Sequence, residues 1–388
     1  MVKDMHITWK GKKIMPSEKM GFKILFISNT ANFSKFNRPF MRWFKGQNWQ
    51  VDYVSAGEET VLDCDHQYSI SIGRDPFSMK NIKAYMELRK IILQNEYDII
   101  HCHTPTGSVL GRLVARGIKT KVIYTAHGFH FYKGAPLINW LLYYPIEKYL
   151  IRYTDVLVTI NDEDYDMAKR NFSSCKNIYK INGVGVDLDK FRPCDKMTKN
   201  KLREKMGYKE TDFVILYVAE FIPRKNHELF VNSINKLNKK IKQLKIIFAG
   251  SGLMLDKYKS LIESMGLSET VQFLGYRRDI DKLCNIADIG ISTSRQEGLP
   301  IGVVEYFFSG LPVVCSRIRG HIDVIIDKKN GLLFDLEKPN QMSDSIIKLH
   351  TDEKLRSAIV QNNVDLRKKY SLKDAVVKMG AIYEKCIK

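Results

Sequence analysis

At 388 residues the chain has room for about two domains, each able to bury its own core, and 44% hydrophobic with 11% aromatic residues excludes a disordered polypeptide. The formal charge of +19 is spread along the whole sequence; it favours anionic partners (nucleic acid, an anionic membrane face, phosphorylated substrates) or records only a lysine-rich solvated surface. No run of 18 uncharged apolar residues excludes water long enough to cross a bilayer, and seven scattered cysteines without a Cys-x-x-Cys argue for a reducing, cytoplasmic setting and against a disulfide framework or zinc ribbon.

Residues 1–20 lack the apolar centre of a signal peptide and read as a disordered leader ahead of Met20. Short β-branched runs then alternate with amphipathic stretches. Strands are expected at 23–28, 51–56, 98–103, 121–127, 155–161 and 178–182, with helical patterns between them such as 80–94. The most apolar stretch, 136–151, is interrupted by Pro145, Glu147 and Lys148. A polar, lysine-rich segment at 188–212 follows. The rhythm resumes with strands at 213–220, 244–250, 271–275, 288–293, 311–316 and 331–335, and a last helical pattern closes the chain.

Near-continuous Val/Ile runs separated by helices indicate parallel strands buried on both faces. The expected fold is α/β, with two Rossmann-like doubly wound domains facing a cleft. Residues 21–195 are expected to form the first domain and 196–370 the second. Residues 371–388 form a helix packing back toward the first domain.

Residues 31–50 interleave Phe33, Phe36, Phe40, Trp43 and Phe44 with Lys35, Arg38, Arg42 and Lys45. On a helix this is an aromatic stripe with a basic flank. It suits an anionic bilayer surface, a core-facing helix with a solvated basic side, or base stacking on single-stranded nucleic acid, although no RNA-binding module accompanies it.

Open α/β sheets bind ligands beyond the carboxyl ends of their strands. After strand 288–293 comes "RQEGLPIGVVEYFFSG", with Glu297 in a loop, Pro300 as first residue of a helix, and Glu305 about one and a half turns into it. The N–H groups of Gly298 and Leu299 and the helix dipole make an anion site. A carboxylate repels phosphate, so Glu297 suits hydroxyls, or else is a helix-start acid. After strand 213–220 stand Arg224, Lys225 and His227, where cations would neutralise a departing diphosphate or merely decorate a helix start. Gly250 lies in a Gly-x-Gly turn and Tyr276 in "FLGYRRDI", whose backbone could meet a base edge.

The Glu297–x7–Glu305 context resembles the signature of the retaining family 4 glycosyltransferases, of GT-B fold, from residue 22 to near the end and most strongly over 213–335. The stretches 99–117, 124–131 and 182–191 resemble the capsule and exopolysaccharide branch. The resemblance implies a sugar transfer from a nucleotide sugar, UDP-linked in preference, to a hydroxyl on a lipid-linked acceptor. It implies Glu297 on the donor sugar, Glu305 on the ribose, the Gly298 and Leu299 amides on phosphates or sugar, Lys225 on the diphosphate and His127 reaching the transferred sugar. His103 and Asn182 would belong to loops on the acceptor side.

Two departures stand out. Glu220 occupies a position commonly held by Arg, which leaves Arg224 as the second cation or the site one cation short. The loop after the first strand also lacks the usual glycine pair. The triplets 63–65, 162–164 and 187–189 read as surface acids, so no metal and no other cofactor is expected. With no evident carboxylate nucleophile in the first domain, a front-face route fits better than double displacement. A UDP-sugar 2-epimerase of the same architecture is the alternative enzyme, and a basic nucleic-acid-binding protein the alternative of another class.

Overall fold

The computed structural model describes residues 21–387 other than 74, 76 and 77, so the expected leader at 1–20 lies outside the described residues. The strands are β1 (Lys23–Thr30), β2 (Gln50–Ala56), β3 (His66–Ser69), β4 (Ile99–His103), β5 (Lys121–Ala126), β6 (Val156–Thr159), β7 (Asn177–Lys180), β8 (Phe213–Val218), β9 (Leu244–Ala249), β10 (Val271–Phe273), β11 (Ile289–Ser292), β12 (Val313–Ser316) and β13 (Leu332–Phe334). All the expected strands form. The sequence reading missed β3, because "HQYS" has no buried residue and pairs only at the edge beside β2, where burial writes no hydrophobic pattern.

Two sheets result, with orders β3-β2-β1-β4-β5-β6-β7 and β10-β9-β8-β11-β12-β13. The registered pairings are parallel. These are two Rossmann-like α/β folds, and in each the strand order reverses beside its first strand, at β1/β4 and β8/β11. Such reversals are where open α/β sheets bind ligands. The chain also divides into two compact units, residues up to Tyr124 with Tyr153–Asp155, and Thr125–Arg152 with Val156–Lys388.

Alternation along β8 organises the second sheet. Phe213, Ile215 and Tyr217 point into one layer with Ile234, Leu237 and Met342. Val214 and Leu216 point into the other, with Val303, Val304 and Phe307 from the helix Ile301–Phe308. Packing both faces fixes this helix, and hence the loop before it.

Of the three readings of 31–50, the structure supports the core-facing helix with a solvated basic side. The segment forms a 3-10 turn, Ala31–Phe33, and a helix, Ser34–Lys45, with Phe40, Trp43 and Phe44 buried in the core. Arg38 and Arg42 meet Asp63 at 2.6 and 3.1 Å, and Lys45 pairs with Asp65. Burying three aromatic rings outweighs leaving them on a surface.

Candidate active site

The second sheet sets its loops at the switch point. β8 leads into residues 219–226, and β11, its neighbour, leads into 293–300. These loops are stitched together. The Tyr217 hydroxyl donates to the Lys225 carbonyl, and Thr293 Oγ1, 2.9 Å from that hydroxyl, donates to the Asn226 carbonyl at 2.8 Å. The Arg295 N–H donates to the Arg224 carbonyl at 2.8 Å. The arrangement is therefore fixed before any ligand arrives.

Glu297 is buried at the centre. Lys225 Nζ lies 2.5 Å from its Oε1, Arg224 Nη1 lies 3.1 Å from its Oε2, and Ser294 Oγ donates to Oε1 at 2.7 Å. Burial opposes ionisation, yet Lys225 and then Arg224 outweigh it and hold the carboxyl at about 2. Glu297 is thus a carboxylate at any physiological pH. Arg224 is thus a second cation beside Glu297, while Glu220 is exposed. Sequence reasoning kept Glu297 apart from the cations; the fold pairs them directly.

Pro300 stands just before the helix, which starts at Ile301. That helix carries Glu305 on a partly exposed position. A β-carbon on Gly298 would overlap the carbonyl oxygen of His127, so only glycine fits there. Leu299 is partly buried and packs against Gly183, next to Asn182, whose amide donates to the Lys369 carbonyl at 3.1 Å. Gly250 follows β9 and donates to the Gly275 carbonyl at 2.8 Å, beside Tyr276, which is 66% exposed. His127 follows β5; burial lowers its pKa to about 4, so its imidazole is neutral at pH 7. His103 belongs to the other unit, at the end of β4, its ring among Phe26, Phe33 and His101.

The fold adds residues that sequence reasoning missed. Arg319, in the loop after β12, pairs with Asp164 at 2.6 Å, both nearly inaccessible. Together they grip Phe129, whose N–H donates to Asp164 at 2.9 Å and whose carbonyl accepts from Arg319 at 3.1 Å. The guanidinium also lies 4.4 Å from the centre of the Tyr132 ring. The loop carrying His127 is therefore clamped two residues further on. Asp164 belongs to the triplet 162–164, so its reading as a surface acid is corrected. Arg319 could have been found by its place just after a strand. His321, fully buried, donates its Nδ1–H to the Ser316 carbonyl at 2.8 Å, and burial lowers its pKa to about 4. Among the described residues no group of three or more His, Cys, Asp or Glu is placed to hold a metal ion.

Comparison with known proteins settles the family. Residues 198–365 match the glycosyl transferases group 1 model, and residues 23–161 the glycosyl transferase 4-like model. EpsD of Bacillus subtilis (strain 168), a provisionally named glycosyltransferase, is 40% identical over 93% of this chain and 96% of its own. The chain belongs to the group 1, family 4 glycosyltransferases. A further relative of this glycosyltransferase, the UDP-Gal:alpha-D-GlcNAc-diphosphoundecaprenol alpha-1,3-galactosyltransferase of Escherichia coli, is 27% identical over 73% of this chain and 74% of its own. The crystal structure of Anabaena HepE in complex with UDP and glucose superposes with a TM-score of 0.76, at 16% identity, over 94% of this chain and 100% of that one. That likeness concerns the fold, which is GT-B.

Proposed function

We propose that this glycosyltransferase moves a sugar from a UDP-sugar to a sugar hydroxyl on a lipid-linked precursor of a capsular or extracellular polysaccharide, with retention at the anomeric carbon. The carrying observation is the Lys225–Glu297–Arg224 cluster at the β8/β11 switch point. The activity for which the Escherichia coli relative is named, with its UDP-galactose donor and diphosphoundecaprenol-linked acceptor, supports the choice of donor and acceptor class.

In this reading the donor diphosphate lies against Lys225, Arg224 and the amides of Gly298 and Leu299. Those cations neutralise the charge that develops on the leaving group, so the reaction runs without a metal ion. Glu305 holds the ribose, and Gly250 and Tyr276 border the nucleotide. Glu297 has no proton to give; it accepts from sugar hydroxyls while keeping Lys225 aimed. Neutral His127 hydrogen-bonds the transferred sugar. The anomeric carbon–phosphate oxygen bond breaks as the acceptor oxygen bonds to the same face, and the acceptor's proton passes to the departing phosphate oxygen. His103 and Asn182 serve the acceptor side. The enzyme works in the cytoplasm, at the inner face of the membrane where such acceptors are built.

Thermal unfolding with UDP, GDP, ADP and their sugars tests this. A ligand at a hundredfold excess over its dissociation constant stabilises by roughly 2.7 kcal/mol. UDP and one UDP-sugar should raise the midpoint, in the presence of EDTA as well, and Glu305→Ala should abolish the shift. No response to any nucleotide would overturn the reading; conversion of the donor without an acceptor would reassign the protein as an epimerase.

A further inference from the structure

The helix Leu137–Leu150 is apolar on both sides, yet only one side is covered. Its inner face is tied down: Trp140 and Tyr144 pack on Phe131 with ring centroids 5.6 and 5.4 Å away, and Trp140 Nε1 donates to the Tyr132 carbonyl at 3.2 Å. Its outer face shows Leu137 at 72% exposure, Ile138 at 55%, Leu141 at 63% and Leu142 at 38%. Lone exposed leucines are ordinary, but a contiguous patch over two turns marks an interaction surface. A helix apolar all round needs an apolar environment on both sides.

Charge identifies what covers the patch. Between Lys133 and Arg152 the one acidic residue is Glu147, and it is buried. Lys133 is exposed before the patch, and Lys148 and Arg152 are exposed after it. Arg152 lies 5.7 Å from the ring of half-exposed Tyr149, and Lys148 at the same distance from Tyr144. Glu163 accepts from the Lys133 N–H before the patch, so the basic border is its far end, where Lys148, Arg152 and Tyr149 are exposed; leucines bordered by bases and a tyrosine match a bilayer with anionic headgroups, where the leucines enter the acyl boundary and the bases meet phosphates.

We propose that the outer face of Leu137–Leu150 docks this glycosyltransferase on an anionic membrane. This rests on the lipid-linked acceptor reading and names its surface. The segment 31–50, one of whose readings was such a surface, has Phe40, Trp43 and Phe44 in the core; the membrane face lies a hundred residues further along.

The full chain is sedimented with vesicles of phosphatidylglycerol and phosphatidylcholine, and with vesicles of phosphatidylcholine alone. Wild type should bind the anionic vesicles and bind more weakly at high salt. Leu137→Gln with Leu141→Gln should weaken binding by about a hundredfold or more, and Lys148→Glu with Arg152→Glu by at least about tenfold. Each variant should retain the UDP-induced thermal shift, which shows that it folds and that the donor site stands. Ile82→Gln with Met86→Gln, on the other exposed apolar stripe in Lys80–Asn95, should bind as wild type does. Wild type that ignores anionic vesicles while still binding UDP overturns the docking and leaves the donor site intact. Binding lost in the Ile82/Met86 variant but not in the Leu137/Leu141 variant also overturns it. So does a dimer in sedimentation velocity that the Leu137/Leu141 change dissociates with no effect on vesicles.

Discussion

The carbonyl oxygen of His127 rests against the Cα of Gly298, with no room for a β-carbon between them. Gly128 completes the contact from its own side, where a β-carbon would sit 3.2 Å from Gly298 Cα. The loop bearing His127 and the loop bearing Glu297 are thereby held in register by two glycines.

Gly298→Ala must push these loops apart, and a displacement of that size costs about a hundredfold in turnover. Gly302→Ala, four residues on, would place its β-carbon 3.7 Å from the Val218 carbonyl, an ordinary contact. It should keep full activity and change stability by no more than about 1 kcal/mol. Equal activity in the two variants would remove the contact from the account.

Glu297 and Lys225 should behave as one unit. Lys225→Met leaves the buried carboxylate with less compensation and should lower unfolding free energy by about 1–3 kcal/mol. Adding Glu297→Gln should cost less than the sum of the two changes, with a coupling of about 0.5–3 kcal/mol. Denaturant unfolding of the four proteins measures it, and strict additivity would mean that the 2.5 Å contact carries no energy.

Breaking the Arg319–Asp164 pair leaves a charge stranded in the interior. Arg319→Met or Asp164→Asn should each cost about 3–5 kcal/mol, whereas Arg319→Met with Asp164→Leu recovers much of it. The Phe129 amide, which donates to Asp164, should exchange its hydrogen faster in Asp164→Asn. Unchanged exchange there would show that the clamp does not hold the loop.

Acid should destabilise the protein in two windows. Burial holds His321 at about 4 and His227 at about 3, against an ordinary 6.5. The unfolded chain therefore takes up these protons first, and the stability of the folded state, complete above pH 6.5, falls as the pH drops toward those values. Glu297 adds a second loss between 4.5 and about 2, where only the unfolded carboxyl is protonated. His227 lies between Tyr217 and Phe221 at 4.5 and 4.2 Å, with neither ring nitrogen hydrogen-bonded in the structure. His227→Phe should keep the stack and flatten the dependence of the thermal midpoint on pH between 6.5 and 4. An unchanged slope would take His227 out of the acid response.

Much of this architecture is written in short stretches of sequence. A parallel strand buried on both faces must be apolar along its length, so "FVILYV" and "IGIS" announce β8 and β11 without knowledge of their neighbours. Residues that follow such strands lie at the ligand-binding edge whatever the details, which is why Lys225 and Glu297 could be singled out. The edge strand β3 could not, because nothing buries it.

What the tertiary structure decided is who meets whom. Arg319 and Asp164 are 155 positions apart, and in sequence Asp164 looks like any acid in an acidic triplet. In sequence Lys225 is a cation for phosphate and stands apart from Glu297; the hydrogen bonds between the two loops bring the two together. The helices Ser34–Lys45 and Leu137–Leu150 are both rich in aromatic residues, and only packing turns the first inward and leaves the leucines of the second outside. Composition and periodicity are local and survive in the sequence; the partner of a buried charge and the covered side of a helix depend on elements brought together from distant parts of the chain.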